Sequence, residues 1–568
     1  MNAGIKQLID VAHPRTLKRL HSAGILGPLS PLGIGAALPW LLGRGPSLGV
    51  ASHINGLMVG NKPGVIDASG TISWRDLDRN ANRIARAFEA AGLGAGDRVA
   101  LLLRNGREFA ETLLGAQKLG VVACPMNTWA KPRELLATLE RAAPRLVIYD
   151  VRHAEGIGTA IEDGAMLVHV GEGPKVQQPA SIPYAEFRGS GRASPPSPFT
   201  RNPGTAKVVI HTSGTTGVPK GAQRDASAAS LGQLANVLAV VPYHRNDIVF
   251  CPAPLFHSFG LATFTFATVL GSTMVLPERF DPVDSLASID EHRATAASFV
   301  PTMIRRICDL DPATRARYDL SSLRIVLASG AAMSPQLRRH AMSVFGDVLY
   351  DLYGSTEAGW IAIATPPDIL ERPNTVGRPV PGIEVLVFSD SGEPLGPGES
   401  GELYVRSGVV FEGYTSGDSR PSRDGSLSVG DIGHLDEDGY LYVDGRVDDM
   451  VIVGGENVYP IEIEETIESL EVVDEAAVVG VTDEEYGQIL VAYVTGSVSE
   501  EDVVAHCKRE LASYKVPRRV VVSTSSLTRS PGRSSRGTSW SVMARPGREP
   551  QTLSLDTFLL SDESRERV

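Results

Sequence analysis

The sequence predicts an α/β protein: a large N-terminal domain of layered sheets and helices with a small barrel subdomain, followed by a small α+β C-terminal domain. Three observations carry that reading. Short β-branched runs alternate with amphipathic helices as far as about residue 375, short strands broken by Gly and Pro begin at Val376, and a mixed helix and strand pattern resumes after Gly445. Strands alternating with helices build parallel sheets covered on both faces. A chain of 568 residues also exceeds what one hydrophobic core serves, so several structural units are expected.

In chain order, residues 1–50 read as an apolar N-terminal arm. Its stretch 22–43 carries no charge over about the thickness of a bilayer, but Pro28, Pro31 and Pro39 argue against the continuous helix that spanning requires. A surface-packed arm is the plain reading. Shallow peripheral contact with the inner face of a membrane, by an otherwise cytoplasmic protein, is the functional one. Residues 51–444 read as the large domain. Within it, WRDLDRNANRIARAFEAA at 74–91 has apolar positions three and four apart, the signature of an amphipathic helix. Strands are expected at 98–103, 146–150, 207–212 and 323–329. The apolar run from Phe259 to Leu276 is broken by Gly260 and Gly271, and reads as a buried helix and strand. The barrel-like subdomain covers about 376–444, and the C-terminal domain 445–522. Residues 523–568 are rich in Ser and Arg, lack either period, and are expected to be disordered.

Composition narrows the function. A net charge of −12 argues against nucleic-acid binding, which demands basic faces. A small anionic ligand needs only a local positive site. Cys124, Cys251, Cys308 and Cys507 are far apart and show no metal spacing, so buried free thiols of a reducing compartment are expected.

The strongest chemical signal is HTSGTTGVPKGA at 211–222, directly after a strand pattern. Gly214 and Gly217 let the backbone turn tightly and bring N–H groups against phosphate oxygens. Thr212, Ser213, Thr215 and Thr216 supply hydroxyls, and Lys220 a point positive charge. The spacing is not that of a Walker loop, because Pro219 precedes the lysine.

This run resembles the signature of the adenylate-forming superfamily, which includes acyl-CoA synthetases, nonribosomal adenylation domains and luciferases. Further segments agree in order: PLFHSFGL at 254–261, SGAAMS at 329–334, YGSTEAG at 353–359, GDIGHLDEDGYLYVDGR at 430–446 and VDDMVIVGGENVYPIEIE at 447–464. The resemblance covers about residues 55–522 and implies two half-reactions with ATP, Mg²⁺ and coenzyme A. A carboxylate attacks the α-phosphate of ATP to give acyl-adenylate and pyrophosphate. A thiol then displaces AMP.

By the same resemblance, Gly330 and Ala331 flank the adenine, Tyr353 offers it a flat face, and Gly354 and Ser355 lead into Thr356 and Glu357. Thr212 and Glu357 are the expected Mg²⁺ ligands, hard oxygen donors suited to that ion. Lys220, Thr356 and Glu357 are the expected catalytic groups, stabilising charge that develops at phosphorus. Asp431 and Arg446 are expected at the ribose. His257 resembles the gate between acyl pocket and nucleotide, with Gly260 and Trp360 walling the acyl site. Asp448 matches the hinge of a mobile C-terminal domain, which brings Gly454 and Gly455 to the coenzyme A approach. Small residues after His257 and the apolar arm favour a medium- or long-chain fatty acid. Two alternatives stay open: a fatty-acyl-AMP ligase loading a carrier protein, and a nucleotide- and acyl-binding protein without catalysis.

The end departs from the family. Its pattern holds through ASYKVPRRVVV at 512–522, after which an Arg-x-Pro-x-Gly-Lys loop should supply a catalytic lysine. The nearest remnant is Arg529-Ser530-Pro531-Gly532-Arg533, and no lysine follows Lys515. So abrupt a loss of pattern reads as a change of reading frame or as a natural disordered tail. Either implies impaired adenylation, unless Arg533 replaces the lysine.

Overall fold

A computed structural model describes residues 39–40, 43, 47–158, 165–173, 175–176, 181–197, 207–212, 220–225, 236–389, 391–407, 421–447, 450–523, 527–534 and 537–542. The large domain is organised on two mixed sheets. A nine-stranded sheet holds parallel strands Ile248–Phe250, Ala296–Phe299, Ile325–Ser329 and Leu349–Ser355 at its centre, with Gly359–Ala364 turning back antiparallel. A seven-stranded sheet runs from Ser181–Pro183 through Arg98–Leu102 and Val122–Pro125 to Lys207–Thr212 and Lys220–Asp225.

The central strands read as continuous apolar runs because helices cover both faces: Ile325–Ser329 is buried along its whole length. Helix Trp74–Ala90 is started by Ser73, whose Oγ accepts from the Asp76 N–H at 3.1 Å. Its stripe of Leu77, Ala81, Ile84 and Phe88 has no exposed surface. The apolar run after His257 is helix Ser258–Leu270 followed by strand Thr273–Val275. All four cysteines are buried and free; burial pushes the Cys124, Cys251 and Cys308 thiols up to about 12.

The subdomain is a five-stranded antiparallel sheet. Its last strand, Leu441–Arg446, pairs with Ser426–Leu435 and continues past the junction expected at Asp444, because the register carries on to Asp431 opposite Arg446. The C-terminal domain has its own five-stranded sheet, with Val473–Asp483 antiparallel and Arg519–Ser523 parallel to Gly487–Gly496. Helices Pro460–Glu468 and Glu500–Glu510 accompany it, and the core is Val458, Ile463, Ile467, Ala492, Val494 and Val503.

The tail departs from the expectation of disorder over part of its length. Leu527–Ser534 and Gly537–Val542 form an antiparallel hairpin, with Leu527 opposite Val542 and Arg529 opposite Trp540. Val, Trp and Thr tolerate an extended backbone well, which a helix-minded search for period misses. Of the apolar arm, Trp40 is buried against His53, with ring centroids 4.9 Å apart, and Lys118 Nζ lies 5.5 Å from its ring centre. Among the described residues, no helix is long and apolar enough to cross a membrane.

Candidate active site

One cavity of about 620 Å³ lies where the large domain, the antiparallel sheet and the C-terminal domain meet. Hairpin Leu349–Ser355/Gly359–Ala364 presents Thr356 and Glu357 at its tip. The hairpin closes this tightly because residue 354 is glycine: a Cβ there would stand 2.2 Å from the Gly359 carbonyl oxygen. Ser355 Oγ accepts from the Ala358 N–H at 3.0 Å and braces the turn. Thr356 Oγ1 lies 3.5 Å from Ser258 Oγ, at the start of helix Ser258–Leu270.

Beside the hairpin, Asp431 is buried and accepts from Tyr353 and Arg446. The Tyr353 hydroxyl donates to its Oδ2, and Arg446 Nη1 donates to its Oδ1 at 2.7 Å. Burial, reinforced by the Asp431 carboxylate, pushes the Tyr353 hydroxyl well above its ordinary value, so it remains a donor. Gly330 follows strand Ile325–Ser329 at the same end of the sheet, and Ser329 Oγ donates to the Leu352 carbonyl at 2.8 Å.

The third wall is built on His257. It precedes the helix whose Phe266 stacks on Trp360 at 4.6 Å and on Tyr243 at 5.7 Å. Trp360 lines the cavity, and Phe266 and Tyr243 back it in series within the core. Gly260 packs where a Cβ would meet the Pro254 carbonyl oxygen at 2.2 Å.

The C-terminal domain reaches into this cavity with one turn. Gly454 and Gly455 have φ of 61° and 95°, a backbone that side chains rarely adopt, and sit against Tyr486, Val300 and Thr302. Next in the chain, Glu456 Oε1 lies 2.7 Å from His257 Nε2, off the line of a directed hydrogen bond. Around the mouth, the Tyr486 ring is flanked by the guanidinium groups of Arg306 at 6.0 Å and Arg518 at 4.6 Å.

Of the residues singled out in the sequence, Gly330, Gly354, Ser355, Thr356, Glu357, His257, Gly260, Trp360, Asp431, Arg446, Gly454 and Gly455 line this one cavity, and Tyr353 bonds to Asp431. Ala331 follows Gly330 without lining it. Thr212 and Lys220 end the two paired strands of the phosphate segment, opposite one another in register. Ser213, Gly214, Thr215, Thr216, Gly217 and the hinge candidate Asp448 lie outside the described residues. Sequence reasoning missed Trp129, Glu134, Glu456, Tyr486, Tyr514 and Lys515, all of which line the cavity. Glu456 stands one residue past an assigned glycine pair, a signal that could have found it; Trp129 had none.

The donor set at the hairpin tip, a hydroxyl and one carboxylate, fits Mg²⁺, which keeps several waters and takes phosphate oxygens rather than a full protein cage. Bound there, the ion would offset charge on the phosphates.

Comparison with known proteins places this geometry. Residues 57–415 match the AMP-binding enzyme family, and residues 462–531 match its C-terminal domain. The second match runs past Val522 into the Arg529–Arg533 remnant, farther than the sequence motifs suggested. The chain is 30% identical to a putative acyl-CoA ligase, YdaB, of Bacillus subtilis, over 79% of this chain and 89% of that protein. It is 31% identical to the long-chain-fatty-acid–CoA ligase FadD13 of Mycobacterium tuberculosis, with the same coverage. The fold superposes on the amide bond synthetase McbA of Marinactinospora thermotolerans with a TM-score of 0.75 at 29% identity, covering 86% of this chain and 97% of that one. Shared sequence, two-domain architecture and a cavity between the domains agree: this chain belongs to the AMP-binding enzyme family and is an adenylate-forming ligase of carboxylic acids.

Proposed function

We propose that the chain converts a medium-chain fatty acid, through its acyl-adenylate, to the acyl-CoA, and that its adenylation step is slow. The observation that carries the substrate class is the apolar lining beside His257, made by Phe256, Phe259, Met303 and Trp360, with Trp360 stacked on the buried Phe266. An apolar wall of this kind accepts an unbranched hydrocarbon and offers nothing to an ammonium group. Because Trp360 is held in the wall by its stack on Phe266, it also sets a depth, which favours a medium chain over the longest acids. Likeness to FadD13 supports a fatty acid in general.

In this reading Asp431 and Arg446 hold the ribose, while Tyr353 and Gly330 border the adenine. Thr356 and Glu357 face the phosphates, and Thr212 and Lys220 are the further phosphate-binding groups. Glu357 and Thr212 hold Mg²⁺. His257 stands between carboxylate and acyl wall. Gly454 and Gly455 line the approach of the thiol, and Asp448 is the hinge. Arg306 and Arg518 at the mouth suit the phosphates of coenzyme A better than the phosphate-poor surface of a folded carrier.

The test supplies synthetic acyl-adenylates of graded length and measures acyl-CoA formation. Medium chains should be preferred, and Trp360→Ala should move the optimum to longer chains. A preference for acetate or aryl acids would overturn the substrate class. Transfer to a phosphopantetheinyl carrier but not to coenzyme A would favour the carrier-loading alternative.

A further inference from the structure

The turn Ser513–Lys515 of the C-terminal domain docks on the start of helix Pro132–Ala142 of the large domain. Lys515 is buried and gives its ammonium to two carboxylates: Glu134 Oε1 at 2.5 Å and Glu462 Oε1 at 2.7 Å. Glu462 belongs to the C-terminal domain and Glu134 to the large one. The second oxygen of Glu134 accepts from the Lys131 N–H at 2.9 Å, within its own helix start, and from the Ala512 N–H at 3.0 Å, across the interface. Tyr514 accepts from Asn127 Nδ2 at 3.0 Å and packs its ring 6.3 Å from Trp129. Trp129 in turn lies 5.4 Å from Phe256 and 5.7 Å from His257.

Two features separate this cluster from ordinary packing. A buried ion pair gains little net stability, because desolvation offsets attraction. Its effect is to select one geometry, since a shifted interface loses the attraction without regaining full hydration. Each side is also satisfied when the domains part: Glu134 keeps the Lys131 N–H, and Lys515 keeps Glu462. Separation therefore strands neither charge, and the Ala512 N–H and Tyr514 hydroxyl it uncovers meet water, so the contact can form and break within a catalytic cycle.

We propose that Glu134 and Lys515 are positioning residues: a reversible latch that holds the C-terminal domain in the arrangement seen here, with Gly454–Glu456 at the cavity, for transfer of the acyl group to the thiol. The inference rests on the acid–thiol ligase reading above. As positioning residues, Glu134 and Lys515 are engaged with one another and need touch neither phosphate nor acyl group. They act by setting where the Gly454–Glu456 turn stands and, through Tyr514 and Trp129, by steadying the neighbourhood of His257.

The test uses Glu134→Gln, which keeps an acceptor for the backbone N–H groups but removes the charge, together with Lys515→Met and Lys515→Arg. Thioester formation from supplied acyl-adenylate and coenzyme A should slow about tenfold in Glu134→Gln and Lys515→Met, and recover substantially in Lys515→Arg. The dissociation constant of a non-hydrolysable acyl-adenylate analogue should stay unchanged in all three variants, and so should the melting temperature of Glu134→Gln, in which Lys515 keeps Glu462. Dyes on Ser190→Cys and Glu501→Cys report the domain arrangement directly, since the native thiols are buried; both charge-removing variants should lower the docked population. Unchanged energy transfer would overturn the latch, as would a loss of analogue binding that parallels the loss of thioester. Should the unmodified chain make no thioester at all, the ligase reading fails, and the dye measurement still decides the latch.

Discussion

Asp431 accepts from Tyr353 and Arg446, and these bonds offset the cost of burying its carboxyl group. Tyr353 and Arg446 supply the hydrogen bonds that water would otherwise give. Removing the acceptor is therefore costlier than removing one donor. Asp431→Ala should destabilise the protein by about 1–3 kcal/mol, the cost of leaving buried polar partners unmade. Tyr353→Phe, which spares the Arg446 bond, should cost less than about 1 kcal/mol. Thermal denaturation of both variants, with AMP titration alongside, checks the order. Weaker AMP binding in Asp431→Ala than in Tyr353→Phe would place the ribose at the carboxylate, and equal effects in every measurement would argue against it.

The hairpin that carries Thr356 and Glu357 is an element whose geometry depends on one missing Cβ. Gly354→Ala puts a carbon 2.2 Å from the Gly359 carbonyl oxygen, so the strands must part and the tip must move. Overpacking of this kind typically costs about 1–3 kcal/mol. Adenylate binding should fall with stability, since both tip residues are displaced. Gly425→Ala is the control: φ there is 75°, yet its Cβ would meet nothing within 4 Å. It should cost stability through backbone strain alone and leave adenylate binding intact. The sequence made this element legible through YGSTEAG, because a motif compresses local geometry into adjacent residues. Strand and helix periods likewise predicted Trp74–Ala90 and the run after His257. Contacts that join distant segments were not legible in the same way. Glu134 and Lys515 are hundreds of positions apart, and each alone reads as a solvated charge on a helix start or turn. Trp129 touches His257 only because two sheets bring their loops together.

At the scale of the whole molecule, the question is which half of the reaction the chain is equipped to perform. The C-terminal domain presents Gly454–Glu456 to the cavity and is held there by the Glu134–Lys515–Glu462 cluster. Its last strand before the tail, Arg519–Ser523, is intact and parallel to Gly487–Gly496. Beyond it, no lysine exists, and Arg533 stands opposite Thr538 in the tail hairpin. An arginine keeps the charge, but its planar fork is not the compact ammonium that a crowded phosphate site accommodates. Losing a group that stabilises transition-state charge costs on the order of 10²–10³ in rate. Pyrophosphate release from ATP and a fatty acid should therefore be slower than thioester formation from supplied acyl-adenylate by at least about 10²-fold. Arg533→Ala should change neither rate if that arginine is idle. Adenylation as fast as thioester formation would refute the proposed defect. A collapse of adenylation in Arg533→Ala would show instead that the arginine has taken the lysine's place, with the tail hairpin swinging to the phosphates when the C-terminal domain turns.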